Sequence, residues 1–164
     1  MKMDHLRGLF EQLDVRDVST FIASGNVLFS TDSDDREALR TAIEDHLDSE
    51  LGYGVGTFLR TPAELAEIAA LDARGASDEW GPESAHYVVF LQAGAPAELR
   101  EGLVALGSEI DDFDVTEREV QWRTRGKVSE SPLFGQAIER VFRGTPNTMR
   151  NMNTVKRLVA KTTA

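Results

Sequence analysis

The chain has no cysteine, so disulfides and thiolate chemistry are excluded, and with them any inference of compartment from redox state. It has no apolar run near the roughly 18 residues that would suggest a membrane span. Its opening, MKMDHLRGLF, lacks the layout of a signal peptide, and the expectation is a cytoplasmic protein without membrane attachment. Histidine is scarce and scattered: His5, His46 and His86 have no ligand spacing such as HExxH, so no metal site is expected. GxSxG, Walker and dinucleotide motifs are missing too, no cofactor is expected, and no nucleophile stands beside a base. Enzymes built from carboxylates alone stay open.

What is there is an ordinary globular composition in 164 residues, enough for one domain or two small fused units. The net charge of −10 favours solubility and argues against nucleic-acid binding by the whole molecule. The charge is unevenly spread. Residues 1–117 hold 8 Lys/Arg and 25 Asp/Glu, whereas residues 118–164 hold 10 Lys/Arg and 3 Asp/Glu. The basic end either meets an anionic partner or is attracted to the acidic body.

Leu6, Leu9, Phe10 and Leu13 fall at helical spacing. VSTFIASGNVLFST then gives two strand-like runs around Ser24-Gly25-Asn26, a β-hairpin or one strand with a glycine bulge. A second helix follows over DSDDREALRTAIEDHLDSEL, with acids in its first turn and Leu39, Ala42, Ile43 and Leu47 as its stripe. VGTFLR reads as a strand. Thr61-Pro62-Ala63-Glu64 opens a third helix with a capping box. The turn-rich stretch DARGASDEWGPES is the best internal boundary, giving halves of 1–80 and 81–164. In the second half, HYVVFLQ is a strand, PAELREGLVALGSEI a helix, and DFDVT with EVQWRT a hairpin. SPLFGQAIERVFRG is a helix capped by Ser131, PNTMR a short strand, and NTVKRLVAK a closing helix. Strand, helix, strand, strand, helix, strand is the ferredoxin-like βαββαβ order. The expected fold class is therefore α+β, two fused ferredoxin-like halves, the first lacking its opening strand.

TFIASGNVLF, Thr20–Phe29, and RNMNTV, Arg150–Val155, resemble two motifs of the bacterial and archaeal domain of unknown function family 1697. The resemblance extends over the whole chain and implies two fused ferredoxin-like halves. Met152 stands where the family carries an aromatic, and Pro132, in GKVSESPL, where a lysine is usual. Family members open with an apolar strand and a LLRGINVGG-like loop before the KM that begins the first helix; here Lys2-Met3 comes at once. A central strand left out would strand its neighbours' backbone groups at about 1–3 kcal/mol each, so the expectation is a natural start upstream or poor stability alone.

Three places compete as sites. In RNMNTV, a helix beginning at Met152 or Asn153 would turn its positive end toward Arg150, with Asn151, Asn153 and Thr154 as further donors to a small anion. The competing account is capping by asparagine and a core stripe of Met149, Met152, Val155 and Leu158, leaving Arg150, Thr154, Arg157 and Lys161 wet. Ser24 and Asn26 form the second candidate, against a plain hairpin turn. Gln121, Arg123 and Arg125 share one face of a strand, followed by Lys127. They could face phosphates, and the favoured account is a solvated face. VVFL and VLF are apolar at successive positions, as in strands covered on both sides, which argues against an open RNA-binding sheet. The leading functional expectation is binding of a small anionic ligand at Arg150–Thr154. The alternatives are an enzyme acting on a phosphorylated or carboxylated metabolite there, and a structural or homodimerising module.

Overall fold

The computed structural model describes residues 2–21, 25–75, 84–127 and 130–162, and the chain divides into two compact units, Met1–Leu59 and Arg60–Ala164. The protein is α+β, with two antiparallel sheets. Most of the expected boundary stretch, residues 76–83, lies outside the described residues.

In the first unit, α1 (Met3–Glu11) buries Leu6, Leu9 and Phe10, the predicted stripe. β1 (Arg16–Phe21) and β2 (Asn26–Ser30) then pair as an antiparallel hairpin, which decides against a single bulged strand. A bulge does occur, but at Asp17: between the Arg16–Ser30 and Ser19–Leu28 pairs β1 carries one extra residue, and Asp17 takes a φ of 54°. α2 (Arg36–Leu51) starts where Asp35 Oδ1 accepts the Ala38 N–H at 3.1 Å and stops at Gly52, whose φ of 80° suits a residue without a side chain. Ile43 and Leu47 of its stripe are buried, and with α1 they form a core that also takes in Val18, Val27, Phe29, Val55 and Leu59.

The predicted strand at VGTFLR is not formed: residues 55–60 carry no regular secondary structure. Val55 and Leu59 still pack inward. The backbone there is tied to α2, with the Thr57 N–H donating to Glu44 Oε2 at 3.2 Å and Arg36 Nη1 donating to the Leu59 carbonyl at 3.3 Å. Side chains of a helix hold it, so the apolar alternation is satisfied without a ladder.

The second unit opens with α3 (Pro62–Gly75), whose capping box forms as predicted: Thr61 N–H to Glu64 Oε1 at 2.8 Å and Glu64 N–H to Thr61 Oγ1 at 3.1 Å. β3 (Ala85–Leu91), β4 (Asp111–Val115), β5 (Glu119–Thr124) and β6 (Asn147–Asn151) make one antiparallel sheet in the order β4-β5-β3-β6. α4 (Ala97–Leu106) and α5 (Gln136–Val141) cover one face. There Val89, Leu91, Leu99, Leu103, Val120 and Phe142 form the core, with Phe113, Ile138 and Met149 packed against it. The two helices come so close that a Cβ on Gly102 would lie 2.7 Å from Val141 Cγ2. α6 (Met152–Thr162) packs with α3, and buries Met152, Val155 and Leu158.

α5 is shorter than predicted. Ser131 does not cap it; its Oγ donates to the buried carboxylate of Asp111 at 3.0 Å and accepts the Leu133 N–H. The helix begins only after Gly135, at a φ of 92°. A buried acid outcompetes the helix end for the hydroxyl.

Candidate functional site

β6 covers most of the expected PNTMR and runs one residue past it to Asn151, and α6 begins at Met152, one of the two expected starts. Two predicted roles then separate. Asn151 is a cap: its Oδ1 accepts the Asn153 N–H at 2.8 Å. Met149 is not part of the α6 stripe; as a β6 residue it faces the α4–α5 core. Arg150 points to the opposite face, paired across the ladder with Val88. It is half-buried rather than wet, as is Thr154, whereas Asn153 and Arg157 are exposed. Arg150 Nη1 donates to Thr148 Oγ1 at 2.7 Å and to the Met149 carbonyl at 2.9 Å, and burial lowers its pKa below the usual guanidinium value. A half-desolvated cation therefore stands two residues before the first turn of an 11-residue helix.

At the hairpin candidate, Asn26 Nδ2 donates to the Phe21 carbonyl at 3.0 Å, and Gly25 has a φ of 81°. Ser24 lies outside the described residues. Asn26 belongs to the first unit and the RNMNTV residues to the second.

The row on β5 departs most from expectation. Gln121 is only 1% exposed, Arg123 is half-buried, and only Arg125 and Lys127 are solvated. The alternation was legible, but residues on both faces of β5 are buried, with Arg123 alone half-covered. On the α4–α5 side Trp122 stacks on Phe113 at 5.7 Å and gives its indole N–H to Asp111 at 2.9 Å. On the other side Glu119, Gln121 and Arg123 line up beside Phe90, Val88 and His86 of β3.

Two features escaped the sequence. Arg60 is buried: its Nε donates to Glu119 Oε2 at 2.8 Å, its Nη2 to the carbonyls of Leu91 and Arg118, and its guanidinium lies 5.3 Å from the Phe90 ring centroid. Burial lowers its pKa, partly offset by Glu119. Arg118 in turn pairs with Glu64, the capping-box residue. The partners are 59 and 54 residues apart, and no local pattern signals such pairs. Buried Asp111 with Ser131 and Trp122 is the second; an aspartate opening a strand looks like a turn residue in sequence. Among the described residues no group of His, Asp and Glu could hold a metal ion, and no helix is long and apolar enough to cross a membrane.

Comparison with known proteins gives fold and family. A solved structure of a conserved bacterial protein from Streptococcus pneumoniae superposes with a TM-score of 0.75 at 16% identity, covering 100% of this chain and 90% of that one. At that identity the likeness concerns the fold. No curated protein matches the chain. A family model described as a protein of unknown function (DUF1697) matches residues 1–121, which include the SGN hairpin and stop short of Arg150–Val155. The chain belongs to that family of unknown function, DUF1697.

Proposed function

We propose that this protein binds a small anionic ligand where β6 runs into α6, with Arg150 as its electrostatic anchor. One observation carries the reading: a half-buried guanidinium, its pKa lowered by desolvation, fixed by Thr148 and Met149 immediately ahead of a helix start. Charge held in a partly dry place is worth more to an anion than the same charge on an open surface. Asn153, exposed in the first turn, and Thr154, half-buried beside it, supply donors, while Asn151 shapes the turn. The acidic body leaves this basic end as the natural landing place for an anion. We also take the second unit to be ferredoxin-like, a reading supported by its element order and by the strand order β4-β5-β3-β6.

The test is a thermal-shift and calorimetric screen with inorganic phosphate, sugar phosphates, nucleotides and dicarboxylates. Saturable stabilisation should be lost in Arg150→Ala and weakened in Arg150→Lys, with the fold intact by circular dichroism. Stabilisation that persists in Arg150→Ala would remove the site from this junction.

A further inference from the structure

The face of the four-stranded sheet turned away from α4 and α5 holds a second, unrelated peculiarity. Gln121 Oε1 lies 2.5 Å from His86 Nε2, the carboxamide oxygen turned toward the ring. Its other end, the Nε2 amide, is buried without a hydrogen-bond partner. So is Nε of Arg123, two residues along the same strand and therefore on the same face. Buried polar atoms in folded proteins almost always find partners, and an exception calls for a specific cause.

Both orphans are donors. An Arg Nε–H and a carboxamide NH2 can be completed only by an acceptor, and a carboxylate offers two oxygens with several lone pairs. Two orphans about 7 Å apart along a strand suit a compact group that either bridges them directly or reaches one and leaves a water on the other. The neighbouring charges choose among acceptors. Asp112 lies 3.8 Å from Arg123 Nη1, and Asp112 and Asp114 are both exposed on the adjoining edge strand, on this same face. Asp112 beside the guanidinium and Asp114 across from Gln121 disfavour a doubly charged phosphate and leave room for a single negative charge.

We propose that Gln121 and Arg123, with His86 orienting the amide, form a binding site for the carboxylate of a small monoanionic ligand. The site is separate from the one at Arg150, which sits two strands away with fully buried Val88 between. It does not depend on that reading.

The measurement is the melting temperature of the full chain titrated with sodium acetate, propionate and benzoate against matched sodium chloride. At roughly ten times its Kd, an effective carboxylate should raise the melting temperature by about 3–6 °C. Gln121→Met, which removes the orphaned amide at similar volume, should melt no lower than wild type without ligand and lose the shift. Arg123→Met should lose it too, and Arg150→Ala should keep it. The His86 ring resonances should move with the same saturation curve, a readout that survives if Gln121→Met fails to fold. No shift with any of the three salts, or a shift retained in Arg123→Met, overturns the proposal. A shift lost in Arg150→Ala overturns it as well and assigns the carboxylate to the β6–α6 junction.

Discussion

The two units differ in whether their strands, as well as their helices, carry fully buried hydrophobic residues. In the first, every fully buried hydrophobic side chain among the described residues comes from α1 or α2, and the strands of its two-stranded ribbon are only half-covered. In the second, Val88, Val89, Phe90, Leu91, Val120 and Trp122 are buried on strands. A two-stranded ribbon has no interior strand, whereas a four-stranded sheet has two, and an interior strand between two layers loses water on both faces. Chemistry follows from this. Among the described residues the most deeply buried polar ones, Asp111, Glu119, Gln121, Thr124 and Ser131, belong to the second unit. Polar groups taken out of water interact strongly, and in this chain they gather in the deeper sheet rather than along the hairpin.

This contrast can be broken at Arg60, where the largest effect is expected. Arg60→Ala leaves Glu119 buried without its partner and should cost about 3–5 kcal/mol of second-unit stability by denaturant unfolding. The double variant Arg60→Met with Glu119→Leu should recover most of that loss. Next comes the helix-borne core of the first unit: Leu47→Ala should cost about 2–4 kcal/mol, and hydrogen exchange should speed up there while β3 and β5 stay protected. A matching loss of protection in β3 would show that the two cores melt together. Asn151→Ala removes the cap of α6 and should cost about 1 kcal/mol, seen as faster exchange of the first α6 turn. The smallest effect belongs to the exposed Arg16–Asp32 pair, joined at 2.9 Å. The hydrogen bond from Arg16 holds the Asp32 carboxyl below its ordinary pKa. Its contribution is therefore present above the usual carboxylate range and fades as pH falls through the lowered value. In water it is screened, and Asp32→Asn should leave the unfolding midpoint unchanged at pH 7 and pH 3 alike.

Local rules made much of the fold legible. The Thr61–Glu64 box, the Asp-rich start of α2, the hairpin around Gly25 and the stripes of α1 and α6 all depend on residues within a few positions of one another. The misses share a cause of the opposite kind. VGTFLR has strand composition, but a strand needs a partner ladder, and Glu44 and Arg36 took up its backbone instead. Ser131 has the residue type of a cap and was drawn to an aspartate 20 positions earlier. Gln121 and Arg123 alternate as a solvated row would, and only the strand order shows that they lie inside. At the candidate site, Arg150 was legible as a cation before a helix; its half-burial was not, because that depends on β3 alongside.

The bulge at Asp17 has a consequence for behaviour in a crowded solution. A short ribbon with open rims invites strands of other molecules to add on, the first step toward fibrils. The extra residue interrupts the regular spacing of amides and carbonyls along β1 and adds local twist, which makes the strand a poorer template for an incoming one. Straightening β1 by deleting Asp17 would give that rim a continuous template, and turbidity at high protein concentration would rise as a result.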